Sequence, residues 1–189
     1  MPSLHDPSSN HVTQSHESDL WVTLAQYDDL IEQLAVKIQQ SGLQFDQILC
    51  LARGGMRIGD VLSRVFNVPL AVLATSSYRG TQGKEQGTLH IAPQVTSTAG
   101  SLSGNILLVD DLVDSGVTFA KVCEHLLQAF PLITTLRTAV LWQKASSIAK
   151  PDYVVTVLVT NPWIHQPFER YDTVKLPELV KKWSATPNK

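Results

Sequence analysis

Four apolar residues, Ile106-Leu107-Leu108-Val109, run straight into Asp110-Asp111-Leu112-Val113-Asp114-Ser115-Gly116-Val117-Thr118. The apolar run is short and ends β-branched, so it reads as a strand buried on both faces. From Phe119 the pattern turns helical, with Val122, Leu126 and Ala129 near one face. The residues between belong at the carboxyl end of a strand and the amino end of a helix. Open α/β sheets bind their ligands there.

The chemistry of this turn follows from its residue types. Ser115 to Thr118 offers backbone N–H groups and hydroxyls at a helix amino terminus, which favours a phosphate dianion. Gly116 lets the backbone come close to a ligand. Asp110 and Asp111 would repel phosphate, but they suit sugar hydroxyls, which donate to carboxylates. They also suit a hard cation such as Mg2+. A phosphate cradle beside a diol or metal site describes a ribose 5-phosphate pocket.

The order hydrophobic strand, Asp-Asp, two apolar residues, Asp, Ser-Gly, any residue, Thr resembles the phosphoribosyl-diphosphate (PRPP) motif of type I phosphoribosyltransferases. Ser115 stands where Thr is commoner in that family. The stretch is not a Walker A loop, because no Gly-Lys-Ser/Thr follows, and the three spaced glycines of a dinucleotide fingerprint are missing. The resemblance implies an α/β fold with a mostly parallel central sheet flanked by helices, a flexible lid loop and a small base-binding hood.

The bulk properties agree with a single enzyme-sized domain. The chain has 189 residues, 43% of them hydrophobic, enough for one domain with a real core. A net charge of −2 lacks the basic footprint of a nucleic-acid binder. No apolar run reaches the length of a membrane span, and the amino terminus lacks a charged-then-apolar signal pattern. Cys50 and Cys123 both lie in apolar segments and read as buried thiols of a reducing compartment. A cytoplasmic protein is expected.

Residues 1–18 are polar and read as a mobile arm. His5, His11 and His16 are too irregularly spaced for a metal site and read as part of a solvated tail. Leu20 to Leu24 can extend. Tyr27 to Gln40 is predicted helical, with Leu30, Leu34, Val36 and Ile38 as its apolar stripe and Gly42 as its stop. Gln47 to Leu51 reads as a buried strand. Ala52-Arg53-Gly54-Gly55 then opens a helix from Met56 to Phe66. The glycines allow close approach to a ligand, and Arg53 supplies a positive fork for phosphate oxygens. This order resembles the pyrophosphate loop of purine phosphoribosyltransferases, where a non-proline cis peptide is often found. Arg53 and Gly54 are the pyrophosphate-binding candidates.

Pro69 to Ala74 reads as a strand. The following stretch, about 77–105, is rich in Gly, Ser, Thr and Gln and long for a connection inside a compact domain. Ser77-Tyr78 at its start resembles the loop that closes over the site in hypoxanthine/guanine phosphoribosyltransferases. Thr88 to Ala92 can pair as a β-ribbon. Thr135 to Trp142 and Tyr153 to Thr160 read as further strands. Alternating strands and helices predict a mostly parallel sheet. The domain is expected over 19–175, with a Lys-rich tail over 176–189, where Leu179, Val180 and Trp183 either pack on a neighbour or fray.

Lys144 at a strand end can donate to a carbonyl oxygen, and Trp163 offers a flat face to a heterocycle. Alone, each is weak, since a strand-end lysine is usually solvated and a tryptophan usually core. Their arrangement with Pro151-Asp152-Tyr153-Val154-Val155 and Trp163-Ile164-x-Gln166-Pro167-Phe168-Glu169 resembles the base pocket of bacterial xanthine-guanine phosphoribosyltransferases. The resemblance covers roughly 21–172. It implies that Lys144 meets the purine 6-oxo group, Trp163 stacks on the purine and the backbone at Ile164 reads the 2-position. His165 replaces an acidic residue of that family and Phe168 a tryptophan, so guanine, xanthine and hypoxanthine are not ranked.

The same resemblance implies phosphoribosyl transfer from PRPP to a 6-oxopurine. Pyrophosphate leaves and a nucleoside 5′-monophosphate forms. It implies Mg2+ as cofactor at Asp111 and Asp110, with Asp111 the better ligand. Asp110 and Asp111 would hold the ribose hydroxyls, Ser115, Gly116, Val117 and Thr118 the 5-phosphate. Asp114, near purine N7, would be the proton acceptor. Related enzymes are commonly dimers or tetramers, so a homo-oligomer is expected. The alternatives are a regulator that keeps the pocket without transferase activity, and a transferase for a pyrimidine or adenine. Lys144 argues against adenine, whose 6-amino group it should reject.

Overall fold

The computed structural model describes residues 19–77 and 89–184. His5, His11, His16 and Tyr78 lie outside the described residues. In chain order the elements are β1 (Leu20–Trp21), α1 (Leu24–Gln40), β2 (Gln47–Ala52), α2 (Met56–Phe66), β3 (Leu70–Ser77), β4 (Leu89–Ile91) and β5 (Thr96–Ser97). There follow β6 (Gly104–Val113), α3 (Val117–Ala129), β7 (Ile133–Lys144), β8 (Tyr153–Leu158), β9 (Ile164–His165), α4 (Arg170–Thr173) and α5 (Leu176–Ser184).

The main sheet runs β4-β3-β2-β6-β7-β8, with β5 added on β3. The pairs β2–β3, β2–β6, β6–β7 and β7–β8 are parallel, and only β4 and β5 run antiparallel to their neighbour. The expectation of a mostly parallel sheet is met. Central β2 and β6 are covered on both faces, which is why they read as unbroken apolar runs. On one face Tyr27, Ile31, Leu34 and Ile38 of α1 and Ile58 and Leu62 of α2 pack on Cys50 and Val109. On the other, Phe119, Val122 and Leu126 of α3 pack on Leu49 and Leu108. Each such side chain contributes about 1.5–3 kcal/mol by leaving water.

Several boundaries differ from the sequence-based expectation. Helix α1 starts at Leu24 rather than Tyr27, because Thr23 and Gln26 form a reciprocal capping box. Its buried stripe is Tyr27, Ile31, Leu34, Ala35 and Ile38, while Val36 faces solvent. Ala129 is likewise exposed and Phe119 takes its place in the packed face of α3. Cys50 is buried, Cys123 only half-buried, and both are free thiols. Burial pushes both up to about 11. Within the stretch expected as a loop over about 77–105, the pairing expected near Thr88 to Ala92 is found at Leu89–Ile91, and Thr96–Ser97 adds a second short pairing, both on β3. The region 176–184 forms α5, which buries no side chain fully.

A second, two-stranded ladder joins β1 in parallel to β9. Trp21 stacks on the His165 ring with centroids 3.7 Å apart. His165 Nε2 lies 2.8 Å from Asp19 Oδ2. The segment around residue 164 is thus held by the residues that lead into α1.

Candidate active site

The carboxyl ends of β2, β6 and β7 are neighbours in the sheet, and each delivers part of the site. Strand β6 does not stop at Val109 as expected but continues through Val113, so Asp110 and Asp111 are strand residues rather than turn residues. Pairing to β7 holds them there, with Asp110 opposite Val140 and Leu112 opposite Trp142. Both carboxylates are half-buried. Asp111 Oδ1 accepts from Leu112 N–H at 2.7 Å, and Asp110 Oδ1 accepts from Asp111 N–H at 3.0 Å.

Val113↔Gln143 is the last register pair of β6 and β7, and Asp114 and Lys144 are the residues that follow these two in the chain. Lys144 Nζ lies 3.1 Å from Asp114 Oδ1, with the lysine side chain 10% exposed and the aspartate 63%. The expected proton acceptor and the expected 6-oxo donor are therefore brought together. Gly116 caps α3 with φ +81° and no side-chain cap, which leaves first-turn N–H groups for an anion. A Cβ there would strike Ser147 and the backbone of Ala149. Ile148 N–H donates to Ser115 O, so the loop after β7 backs the turn. Ser115 and Thr118 are exposed and Val117 is half-buried.

At the end of β2, Ala52–Arg53 is a cis peptide. Gly54 sits against Asp111: a Cβ would fall 2.5 Å from Oδ1 and 2.8 Å from Oδ2. Arg53 pairs loosely with Asp172 at 3.4 Å. Both side chains are exposed, and such pairs yield easily to a better anion. Arg53, Gly54 and Asp111 line a cleft of about 740 Å³ together with Arg57, Gln166 and Asp172.

A phosphoribosyl transferase domain matches residues 23–173. The chain is 31% identical to a xanthine-guanine phosphoribosyltransferase of Gluconobacter oxydans over 151 residues, 78% of this chain and 82% of that one. A xanthine-guanine phosphoribosyltransferase of Idiomarina loihiensis is 30% identical over 129 residues, 68% of this chain and 73% of that one. The chain is a type I purine phosphoribosyltransferase. The purine phosphoribosyltransferase structure from Pyrococcus horikoshii superposes with a TM-score of 0.68 at 27% identity, covering 84% of this chain and 99% of that one.

In this phosphoribosyltransferase the base-side candidates divide. Ile164 is buried at 5% exposure, while Trp163 is 61% exposed and its face is open. The carbonyls of Trp163 and His165 accept from Leu20 and Val22. Carbonyls alternate in direction along a strand, so the Ile164 carbonyl faces away from β1. Ser77 ends β3. Sequence reasoning missed two residues of the cleft, Arg57 and Gln166, and one beside it, Tyr27. Arg57, in the first turn of α2, stands 5.1 Å over the Phe168 ring. Tyr27, buried with its ring centroid 5.5 Å from the same ring, has no partner for its hydroxyl among the described residues. Burial and the charges of Asp111 and Asp110 push that phenol up, so it stays neutral. Gln166 was quoted only as part of a motif, and it reaches Asp111. A second arginine at the start of the helix that the Arg53 loop opens was the available signal for Arg57. Nothing local pointed to the others.

Burial pushes the Asp110 carboxyl well up, and the neighbouring Asp111 charge adds to it. The folded state therefore holds this proton to higher pH than the unfolded chain, whose carboxylate titrates near 4. Proton binding favours the folded form, so the ligand-free protein gains stability as pH falls from neutral toward that value. Asp110→Asn keeps an acceptor for Asp111 N–H and removes the buried charge. The expected result is a gain of ~1 kcal/mol, a rise in Tm of roughly 2–4 °C at pH 7.5 for a domain of this size. Calorimetry of wild type and variant at pH 5.5 and 7.5 checks it, and an unchanged or lower Tm at pH 7.5 refutes it.

Proposed function

We propose that the protein transfers the phosphoribosyl group of PRPP to a ring nitrogen of a 6-oxopurine: guanine, xanthine or hypoxanthine. The bond from the anomeric carbon to the pyrophosphate oxygen breaks, and the bond to the purine nitrogen forms. Pyrophosphate and a nucleoside 5′-monophosphate are the products. The observation that carries this reading is the Lys144–Asp114 pair, placed by strand register beside the Asp110–Asp111 corner. Positions expected to meet the two substrates lie on adjoining strand ends. The xanthine-guanine relatives support the choice of purine.

In this reading Ser115, Gly116, Val117 and Thr118 anchor the 5-phosphate, and Asp110 and Asp111 accept from the ribose hydroxyls. Two adjacent carboxylates fit Mg2+, which commonly takes one or two carboxylates and completes its shell with substrate phosphate and water. Bound there at Asp111 and Asp110, Mg2+ supplies positive charge against the leaving pyrophosphate. Arg53 turns from Asp172 to the same anion, and Gly54 lets it come close. Positive charge develops on the sugar as the leaving group departs. Lys144 donates to the 6-oxo group, Trp163 covers the purine and the Ile164 backbone faces its 2-position. Asp114 accepts the purine proton.

Free thiols at Cys50 and Cys123 suit a reducing cytoplasm, and a homodimer or homotetramer is the assembly expected by analogy. The test is incubation with PRPP, Mg2+ and a panel of bases, reading pyrophosphate release. One or more of guanine, xanthine and hypoxanthine should turn over. Adenine should be at least ~10³-fold poorer in kcat/KM, because its 6-amino group is a donor and cannot accept from Lys144 as an oxo group does. Turnover of adenine alone, or of no base, would sink the reading.

A further inference from the structure

We infer that Gln166 is a positioning residue for PRPP binding, acting through Asp111; this rests on the reading above. Gln166 lies between β9 and α4, on the segment that carries the base-side candidates Trp163 and Ile164. Asp111 lies in β6, which carries the ribose candidates and leads into the phosphate turn. The Gln166 side chain bridges the two: its Nε2 donates to Asp111 Oδ2 at 2.5 Å. Asp111 Oδ1 is already taken by Leu112 N–H. One donor on each oxygen fixes the rotation of the carboxylate about its bond to Cβ. A carboxylate has further lone pairs for sugar hydroxyls or a cation, and these now point in set directions.

The choice of side chain also argues for a role. Gln166 is only 9% exposed, and its Oε1 is buried without a partner among the described residues. An unsatisfied buried carbonyl costs stability, because it gives up its bonds to water and gains none in return. A residue chosen for packing would be apolar and would avoid that cost. A lysine or arginine could also donate to Asp111, but it would neutralise the charge the site needs. A neutral amide donates and leaves the carboxylate negative, so the residue type fits the task.

The test uses Gln166→Met, which keeps length and volume and removes both polar atoms, and Gln166→Glu, which keeps shape and puts a carboxylate where the donor was. PRPP affinity is measured by calorimetry in saturating Mg2+ at pH 8, with steady-state kinetics and a thermal melt for each variant. For Gln166→Met the expected result is a PRPP Kd and KM about 10-fold higher, a base KM within 3-fold at saturating PRPP, and a Tm equal to wild type or above it. For Gln166→Glu the PRPP Kd should rise about 100-fold or more through repulsion at Asp111. Gln166→Met binding PRPP within 2-fold of wild type overturns the inference. So does an equal rise in the PRPP and base KM values, which marks a general structural role. Should the Met variant lose its thermal transition, the Glu variant decides, and near-wild-type PRPP binding by it overturns the inference as well. Wild-type protein that gives no heat with PRPP and Mg2+ instead refutes the functional reading itself.

Discussion

Asp114→Asn is expected to lower kcat by about 10²–10⁴-fold, the usual contribution of a positioned general base, while the PRPP Kd stays within about 3-fold. The substitution is nearly isosteric. The Asn carbonyl can still accept from Lys144 Nζ, which lies 3.1 Å from Asp114 Oδ1, so the lysine keeps a partner. What is lost is the ability to take a proton from the purine. Because Asp114 is 63% exposed, its loss should hardly change folding stability. Lys144→Met separates the two members of the pair: it should raise the base KM and leave PRPP affinity alone. Single-turnover kinetics are the proper measurement, because product release can mask a change in the chemical step. Full single-turnover rates in Asp114→Asn would remove Asp114 from the role of proton acceptor.

Gly54→Ala should be nearly as damaging by a different route. Its Cβ would fall 2.5 Å and 2.8 Å from the two Asp111 carboxylate oxygens. The backbone at Asp111 is held by β7, which pairs with Asp110 and Leu112 on either side of it. The carboxylate must swing away, and it then gives up its bonds to Leu112 and Gln166. Hydrogen bonds to a charged group contribute about 1.5–3 kcal/mol each. The variant should therefore melt roughly 5–20 °C lower, and because the displaced carboxylate no longer meets the ribose hydroxyls, its PRPP affinity should fall by about 10²-fold. Gly42→Ala is the control. Gly42 has open space around it but a φ of +74°, so alanine there costs some stability and leaves PRPP binding unchanged. Calorimetric titration of both variants gives the comparison. A Gly54→Ala protein that binds PRPP like wild type would show that Asp111 is not held at this spot for the sugar.

The acidic corner was legible because its logic is local. A buried strand, three carboxylates, a glycine and two hydroxyls lie within the thirteen residues 106–118, and each type has a chemical reason to be there. Helix α2 was legible to the residue for the same reason, with Gly55 before it and Asn67 in the left-handed conformation after it. The end of β6 was not. Asp110 and Asp111 look like turn residues in one dimension. Pairing with β7 keeps them extended, and pairing is a property of two segments. Val36 and Ala129 failed for a related reason. A helical stripe tells which residues lie near one another, and the neighbouring strand decides which edge of the stripe is covered. The Thr23–Gln26 capping box was visible in the letters and passed over. Gln166 was beyond reach, since its partner is 55 residues away.

The short ladder between β1 and β9 stands apart from the main sheet. Its mechanical meaning is specific. A load applied ahead of Asp19 passes through Leu20 and Trp21 into Ile164 and His165 before the seven-stranded sheet feels it. Anything tethered to the leading end of this chain, whether an affinity handle or a fused protein, therefore pulls on the segment that carries the base-side candidates Trp163 and Ile164. A handle at the far end, beyond α5, is the safer choice for kinetic work.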